Sequence, residues 1–507
     1  PARHKPKLFT KKLDFSPYDS DLSMKMKRFV ILVAIGFFSL VQAKQPNFIL
    51  FITDDISWDD LGCYGSKVAK TPHLDQMAKE GMLFHGAYLS ISSCSPSRCS
   101  IISGRYPHNT GAAELHTQLP ADQPVFPEAL QAAGYYTALS GKHHMGKAVN
   151  RGFDKVSGGK GPSKSADWVP MLRERPKDKP FFFWFASSDA HRGWKLNDKA
   201  PQYKPEDVEV PPYLYDGPVT RKDLAEYMHE VSRTDYYVGQ LRKELKKQGI
   251  EKDTYIIYMT DNGRPFPRCK TRLYDSGIRT PFLIARPGTI APSETHSLIS
   301  SIDISATILE LAGAKKDKRI QGVSFAPILE NPKVTVRDYV FAEHNWHVYQ
   351  AHERMVRFGN FLYIRNNFPN QPNLSYESDD HYPAGLELWQ AHAAGKTNPK
   401  QHQIFANPCP PEELFQVNED PHQLSNLADD PKHAKTLKQA RALLTEWTKQ
   451  TGDSIPANPT PNRHDPPRIE NGKILPAGKA KTRNPHAEMP GVSKNATKIN
   501  HPGPIKE

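Results

Sequence analysis

The chain has 507 residues, with 67 Lys and Arg against 55 Asp and Glu and a formal net charge of +12 at pH 7. This length is enough for one large and one smaller domain. The excess of positive charge suits a polyanionic partner, although much of it lies in the two terminal segments. The sequence has no zinc-finger spacing, basic-zipper heptads or RNA-binding aromatic signature, so we expect no nucleic-acid partner.

Five cysteines are few for a disulfide scaffold, and none has the C-x-x-C spacing of a metal or redox site. Cys94 stands in a motif that is described below. The other four either pair with one another or remain buried thiols: Cys63, Cys99, Cys269 and Cys409. We predict that Cys99 packs on a helix and has no catalytic role.

We predict an upstream extension at residues 1–23 and a secretory signal peptide at residues 24–43. Residues 24–43 start with a basic stretch, continue through an apolar core, Phe29–Val41, and end in Gln42-Ala43. The core is about a dozen residues long, short of the ~20 that a membrane-spanning helix needs. We therefore expect an exported protein, periplasmic or secreted, without a stable membrane span. A non-cleaved anchor is the alternative.

Two buried strands are predicted to end in acidic or amide side chains. Residues 48–52 form an unbroken apolar run that ends at Asp54-Asp55, and residues 253–260 form a second run that ends at Asp261-Asn262. Open α/β sheets bind ligands at the carboxyl ends of their strands. Oxygen donors at two such ends indicate a Ca²⁺ or Mg²⁺ site. The alternative is that each Asp caps a following helix or turn.

The pentapeptide Cys94-Ser95-Pro96-Ser97-Arg98 lies between these strands in the chain. By itself it is compatible with a plain loop cysteine. Pro96 suits the first turn of a helix spanning about residues 97–103, and the N–H groups at the start of that helix would favour an anion.

The remaining pattern divides the chain into domains. From residue 45 to 335, apolar strands such as Phe181–Ala186 alternate with helical stretches, which predicts an α/β doubly wound sheet. Short antiparallel strands and an amphipathic helix predict a smaller C-terminal α+β domain over residues 336–453. Residues 454–507 are rich in Pro, Lys, Asn and Gly, and we predict an irregular basic tail.

From about Asn47 to Asp453, the chain resembles the type I, formylglycine-dependent sulfatases of the alkaline-phosphatase superfamily. The resemblance rests on the Cys94 pentapeptide, the two acidic strand ends and several further motifs: Thr71-Pro72-His73-Leu74-Asp75, Ser103-Gly104-Arg105-Tyr106-Pro107, Gly141-Lys142-His143-His144-Met145-Gly146 and Glu413-Leu414-Phe415. It implies an alkaline-phosphatase-like mixed sheet with a smaller C-terminal domain.

The resemblance also implies the cofactors. In this family the tag cysteine is oxidised to Cα-formylglycine by a formylglycine-generating enzyme, so Cys94 is the implied nucleophile precursor. One Ca²⁺ per subunit is implied, with Mg²⁺ as the weaker alternative. Its ligands would be Asp54, Asp55, Asp261, Asn262 and the modified Cys94. Many family members have His at the position of Asn262, but an amide oxygen still suits Ca²⁺.

The implied catalytic residues fit the cleavage of a sulfate ester. Arg98, Lys142 and Lys270 would stabilise the charge that develops as the S–O bond breaks. His144 is the predicted base and His191 the predicted proton donor. His143 departs from the family motif, which usually has Trp at this position.

Two further motifs resemble one branch of this family and thereby imply a substrate class. Asn262-Gly263-Arg264-Pro265-Phe266-Pro267 together with Asp189-Ala190-His191-Arg192 is similar to the sulfamidase branch and to bacterial polysaccharide sulfatases. This implies a sulfuric ester hydrolase that acts on a sulfated glycan, with removal of an N-sulfate as a further option. The alternatives are a phosphate or phosphonate ester hydrolase of the same superfamily and a catalytically silent glycan-binding protein. Tyr376, His381 and Tyr382 either line a glycan subsite or serve packing.

Overall fold

The computed structural model of the protein describes residues 44–482, 484 and 486–506. The predicted extension and signal peptide at residues 1–43 lie outside the described residues. Pro46–Glu507 forms one compact unit. Within the part of the chain that the structure describes, no helix is both long enough and apolar enough to cross a membrane.

Eight strands form the main sheet, in the order β5-β4-β6-β1-β7-β8-β2-β9. The strands of the described chain are β1 (Asn47–Thr53), β2 (Met82–Phe84), β3 (Ala87–Tyr88), β4 (Tyr136–Gly141), β5 (Lys155–Ser157), β6 (Phe181–Ala186), β7 (Thr254–Thr260), β8 (Phe282–Ala285), β9 (Ser293–Thr295), β10 (Ile299–Ser300), β11 (Tyr339–His344), β12 (Glu353–Phe358), β13 (Phe361–Asn366), β14 (Glu412–Gln416), β15 (Arg468–Glu470) and β16 (Lys473–Leu475). Strands β5, β4, β6, β1 and β7 are parallel, whereas β8 runs antiparallel to both of its neighbours. The predicted mixed sheet is confirmed.

Helices cover both faces of this sheet. The α-helices of the described chain, which include α11 on the second sheet, are α1 (Pro72–Glu80), α2 (Cys94–Ser103), α3 (Pro107–Thr110), α4 (Pro127–Ala132), α5 (Trp168–Glu174), α6 (Pro218–Lys247), α7 (Asp275–Ile278), α8 (Asp303–Leu311), α9 (Ala326–Glu330), α10 (Pro383–Ala393) and α11 (Ala434–Thr451). The predicted helix over residues 97–103 begins three residues earlier, at Cys94.

The central strand β1 shows why the sheet is buried on both sides. Phe48, Leu50 and Ile52 pack in one apolar core with residues of α2 and α8, whereas Ile49 and Phe51 pack in a second core with residues of α1 and α6. Side chains alternate between the two faces of a strand, so an unbroken apolar run is needed where both faces are covered. This packing on both faces fixes the position of the carboxyl end of β1 at one end of the sheet.

A second sheet forms the C-terminal part of the fold. Strands β11, β12, β13 and β14 are antiparallel neighbours in that order. One face of the sheet packs against α11, where Trp447 stacks on Phe341 with ring centroids 5.2 Å apart. This sheet is the smaller C-terminal α+β part that the sequence predicted.

Residues beyond 453 contact several earlier parts of the fold, including Arg105, Glu114 and Trp346. Those that the structure describes include the β15–β16 hairpin and two short 3-10 helices, Val492–Lys494 and Ala496–Lys498, and most of the others have irregular backbone. Arg105, which follows α2 and has a fully buried side chain, ties the end of the chain in place. It donates hydrogen bonds to the Asn500 side chain at 2.7 Å and to the carbonyl oxygens of Thr497 at 3.1 Å and Ile499 at 2.9 Å.

Replacement of Arg105 by alanine is expected to destabilise the protein by about 3 kcal/mol or more, because several buried acceptors lose their donor together. Urea unfolding measures the loss, and limited proteolysis should cut the chain near Thr497. The control is Arg319→Ala, whose partly exposed side chain pairs with Asp317 and should cost at most about 1 kcal/mol. Equal stability losses in the two variants would contradict the anchoring role of Arg105.

Candidate active site

The two acidic strand ends meet at one edge of the main sheet. Strands β1 and β7 are parallel neighbours with Thr53 opposite Thr260, so the residues that follow them are brought side by side. Asn262 Nδ2 donates a hydrogen bond of 2.6 Å to Asp55 Oδ1, and the Asp55 N–H lies 3.4 Å from Asp261 Oδ1. Asp54, Asp55, Asp261 and Asn262 are fully buried.

Cys94 lies against these carboxylates at the first residue of α2. Its Sγ is 3.6 Å from Asp54 Oδ1 and 3.9 Å from Asp55 Oδ1. Only 2% of the residue is exposed, and burial raises the pKa of the thiol well above its ordinary value. The unmodified cysteine is therefore a neutral thiol, which is a poor nucleophile.

Three cations balance the three carboxylates. Lys142 Nζ contacts Asp54 Oδ2, Lys270 Nζ lies 2.8 Å from Asp55 Oδ2, and Arg98 Nε donates to Asp261 Oδ2 at 2.8 Å. Lys142 follows the last residue of β4, Gly141. This glycine has φ +103°, and a Cβ there would lie 1.7 Å from the carbonyl oxygen of Ala186, so only glycine allows this turn.

Arg98 is a buried cation that holds two other parts of the site in position. Its side chain is fully buried and also donates a hydrogen bond of 2.9 Å to the carbonyl oxygen of Lys142. It therefore fixes two neighbours, Asp261 and the backbone that carries Lys142. Its Nη2 lies 4.0 Å from Asp54 Oδ1.

The three carboxyl groups of the cluster differ in the direction in which their pKa values are shifted. Burial raises the pKa of Asp261 to about 7 in spite of Arg98, and burial also raises the pKa of Asp55 in spite of Lys270. At Asp54 burial is outweighed by Lys142, His191 and Arg98, which together hold its pKa well below the ordinary value. Further positive charge at this point would favour ionisation of all three groups.

Two histidines lie at the open side of this cluster. His144 Nε2 is 2.8 Å from His116 Nδ1, and burial together with nearby Lys142 lowers the pKa of His144 to about 3. His191 follows β6 and is exposed; its Nδ1 lies 3.1 Å from the Arg192 carbonyl oxygen. Nearby Lys270 lowers the pKa of His191.

A cavity of about 340 Å³ opens above the cluster. Its lining includes Asp54, Lys142, His144 and His191. The structure thus brings together every residue that the sequence analysis assigned to the site: Asp54, Asp55, Cys94, Arg98, Lys142, His144, His191, Asp261, Asn262 and Lys270.

The oxygen donors fit a hard divalent cation. Asn262 Oδ1 is buried and has no hydrogen-bond partner among the described residues. A buried amide oxygen without a partner is costly unless an ion or a donor satisfies it. Ligand atoms of Asp54, Asp55 and Cys94 all lie within 4.8 Å of one another. Carboxylate and amide oxygens in this number suit Ca²⁺ or Mg²⁺.

Several residues of the site were missed by the sequence analysis. Glu377 Oε1 lies 3.5 Å from Lys270 Nζ, and His347 Nδ1 lies 2.8 Å from the Oγ of Ser93, directly before Cys94. His116 contacts His144. Glu377 falls next to Tyr376, which the sequence already singled out, whereas no local pattern marked His116 or His347.

This arrangement suits one kind of chemistry. Lys142, Asp54 and two histidines line a small cavity beside the buried carboxylate cluster. An oxyanion can be bound there and its charge stabilised while protons are moved beside it. The site is that of a hydrolase for anionic esters.

Comparisons with known proteins identify the family. The sulfatase family model matches residues 46–314, and the model for the C-terminal part of N-sulphoglucosamine sulphohydrolase matches residues 269–362. An ulvan-active sulfatase of Formosa agariphila is 30% identical over 469 residues, which cover 81% of this chain and 76% of that protein. Human N-sulphoglucosamine sulphohydrolase is 28% identical over 482 residues, covering 83% and 93%.

Solved structures show the same fold. The structure of a protein in complex with its substrate D-glucosamine-2-N,6-O-disulfate matches with a TM-score of 0.63 at 21% identity, over 80% of this chain and 98% of that one. The chain belongs to the sulfatase family, and its enzyme class is that of the sulfuric ester hydrolases. The resemblance to the sulfamidase-like branch is also confirmed.

Proposed function

We propose that the protein removes sulfate from a sulfated polysaccharide or its oligosaccharides, at a sugar hydroxyl or at an amine. The observation that supports this most is the convergence of Cys94 with three buried carboxylates and three cations, next to a cavity that two members of this cluster, Asp54 and Lys142, line. The names of two relatives also support it: one is an ulvan-active sulfatase and the other an N-sulphoglucosamine sulphohydrolase.

Two groups complete the proposed site. Cys94, oxidised to formylglycine by a formylglycine-generating enzyme, would supply a hydrated aldehyde oxygen as the nucleophile. Ca²⁺, held by Asp54, Asp55, Asp261 and Asn262 with the modified residue 94, would supply positive charge facing the sulfate oxygens. The signal-like segment at residues 24–43 supports export to the periplasm or the medium.

The remaining steps fall to the side chains around the cavity. Lys142 and Lys270 would neutralise the bound sulfate group. The Nδ1 of His191 faces a backbone carbonyl and so carries a proton. Nε2 would therefore donate a proton to the leaving oxygen or nitrogen only when the ring is doubly protonated, a form that the negative charge of a bound sulfate group favours. His144 is neutral at neutral pH because its pKa is about 3, and neutral imidazole is the form that can accept a proton.

The expected substrate preference tests this proposal. Binding energy from parts of the substrate remote from the reacting bond raises turnover, so a charged oligosaccharide should release sulfate and 4-nitrophenyl sulfate should be a poor substrate. A panel of ulvan, carrageenan, fucoidan and glycosaminoglycan fragments, with N- and O-sulfated glucosamine included, is scored by released sulfate. A Cys94→Ala protein is the blank. Efficient aryl sulfate hydrolysis with no release from any glycan would contradict the proposal.

A further inference from the structure

A second cavity lies directly beside the active-site cavity. It has a volume of about 280 Å³ and is lined by Leu115, His116, Trp346, Pro461, Asn462, Arg463, Lys481 and Thr482. His116 belongs to its wall and contacts His144, which lines the active-site cavity. The ring centroids of the two histidines are 4.9 Å apart. One pair of imidazole rings therefore links the two cavities.

The outer wall of the second cavity is a fixed part of the fold. It is formed by residues 460–463, which we call the wall segment. Hydrogen bonds join this segment to residues 346–350 and to Glu114: Trp346 Nε1 to Pro461 O at 2.9 Å, Arg463 N to Val348 O at 2.8 Å, Gln350 N to Asn462 Oδ1 at 2.6 Å, and Thr460 Oγ1 to Glu114 Oε2 at 2.7 Å.

Residues 346–350, which hold the wall segment, also contact the chain directly before α2, the helix that begins at Cys94. His347, between Trp346 and Val348, lies 2.8 Å from the Oγ of Ser93, the residue before Cys94. The position of Arg463 relative to the active site is thus set by a short series of hydrogen bonds. The backbone that carries Arg463 is therefore in place before a ligand arrives, which lowers the part of the entropic cost of binding that would come from ordering this segment.

The charge of this cavity favours an anion. Arg463 lines the cavity, is exposed, and forms no ion pair with any residue that the structure describes. Lys481, the other cation of the lining, is paired with Asp465 at 2.5 Å. The lining contains no carboxylate. An unpaired guanidinium binds carboxylate and sulfate oxygens through paired N–H groups.

We propose that the second cavity holds the sugar adjacent to the one that carries the scissile sulfate, and that Arg463 binds a carboxylate or sulfate group on that sugar. This inference rests on the proposed function and adds a binding subsite to it. It also gives the C-terminal segment a role in substrate selection.

Binding to the inactive Cys94→Ala protein tests the subsite without turnover. Titration calorimetry compares an N-sulfated glucosamine monosaccharide with three disaccharides whose second sugar carries a carboxylate, a sulfate or no charge. We expect Arg463→Gln to weaken binding of the disaccharides with a charged second sugar about tenfold, and to leave binding of the monosaccharide and the neutral disaccharide unchanged. The carboxylate and sulfate arms show which anion is preferred. Arg463→Lys should retain part of the affinity, and salt should reduce the difference.

The matched control is Arg468→Gln, because Arg468 is exposed on the same C-terminal segment, pairs with Glu470 and lies outside the cavity lining. It should bind all ligands like the parent protein. Unchanged disaccharide binding in Arg463→Gln, or charged disaccharides that bind the parent no more tightly than the neutral one, would overturn the inference. Sulfate release by the wild-type protein is measured separately, so failure of the proposed function is distinguished from failure of the subsite.

Discussion

Replacement of Cys94 by alanine is expected to lower kcat for sulfate release by about four orders of magnitude or more, the usual effect of removing a nucleophile. The fold should survive, because Cys94 contacts Asp54 and Asp55 without making a main-chain bond through its side chain. Cys94→Ser, produced in a host that modifies only cysteine, should be equally inactive. Sulfate release and thermal unfolding are measured together.

Cys99 provides the matched control for this variant. It lies on the same helix, is fully buried, and packs in an apolar core away from the carboxylates. Cys99→Ala should cost about 1 kcal/mol of stability and keep wild-type turnover. Mass spectrometry of the Cys94 peptide shows whether the thiol has become an aldehyde. Full activity in Cys94→Ala would end the formylglycine hypothesis.

The second large effect is expected from removal of the divalent cation. Protein treated with a chelator should lose turnover, and added Ca²⁺ should restore it. Because the ion would bind only the folded chain, Ca²⁺ at 100 times its Kd should raise the free energy of unfolding by about 2.7 kcal/mol. Oxygen atoms of Asp54, Asp55, Asp261 and Asn262 should then lie ~2.3–2.6 Å from the ion in a crystal structure.

Variants locate the ion independently of activity. Asp261→Ala and the milder Asn262→Ala should both reduce the Ca²⁺-dependent gain in stability. Asp59→Asn is the control, since Asp59 follows β1 a few residues after Asp55 but pairs with Arg264. It should retain the full gain. If Ca²⁺ stabilises Asp261→Ala as much as the wild-type protein, the ion does not bind at this strand edge.

The positions of the acidic residues could be predicted from the sequence because their signal is local. An apolar run such as residues 48–52 is typical of a strand covered on both faces, and the polar residues that follow such a strand lie at the carboxyl end of the sheet. Parallel packing of two such strands then brings Asp55 and Asn262 together. The chemical class followed from side-chain types, since carboxylates and amides are ligands for hard cations.

Other features depend on contacts between distant parts of the chain. Arg98 pairs with Asp261 across 163 positions, and Glu377 reaches Lys270 from a region without regular structure. The polar composition of residues 454–507 predicts irregular backbone, but it carries no information on where that backbone lies.

Local sequence patterns predicted the strand ends, because an apolar run and the polar residues that end it are neighbours in the chain, whereas the tag cysteine and the cations of the site were implied by motifs that resemble the sulfatase family. Tertiary structure alone decided the partner of each cation, the contact between His116 and His144, and the place of Arg463 beside the active-site cavity. The physical reason is that these positions depend on hydrogen bonds and packing between segments that meet only after the chain has folded, and side-chain types in one segment do not specify which distant segment they meet.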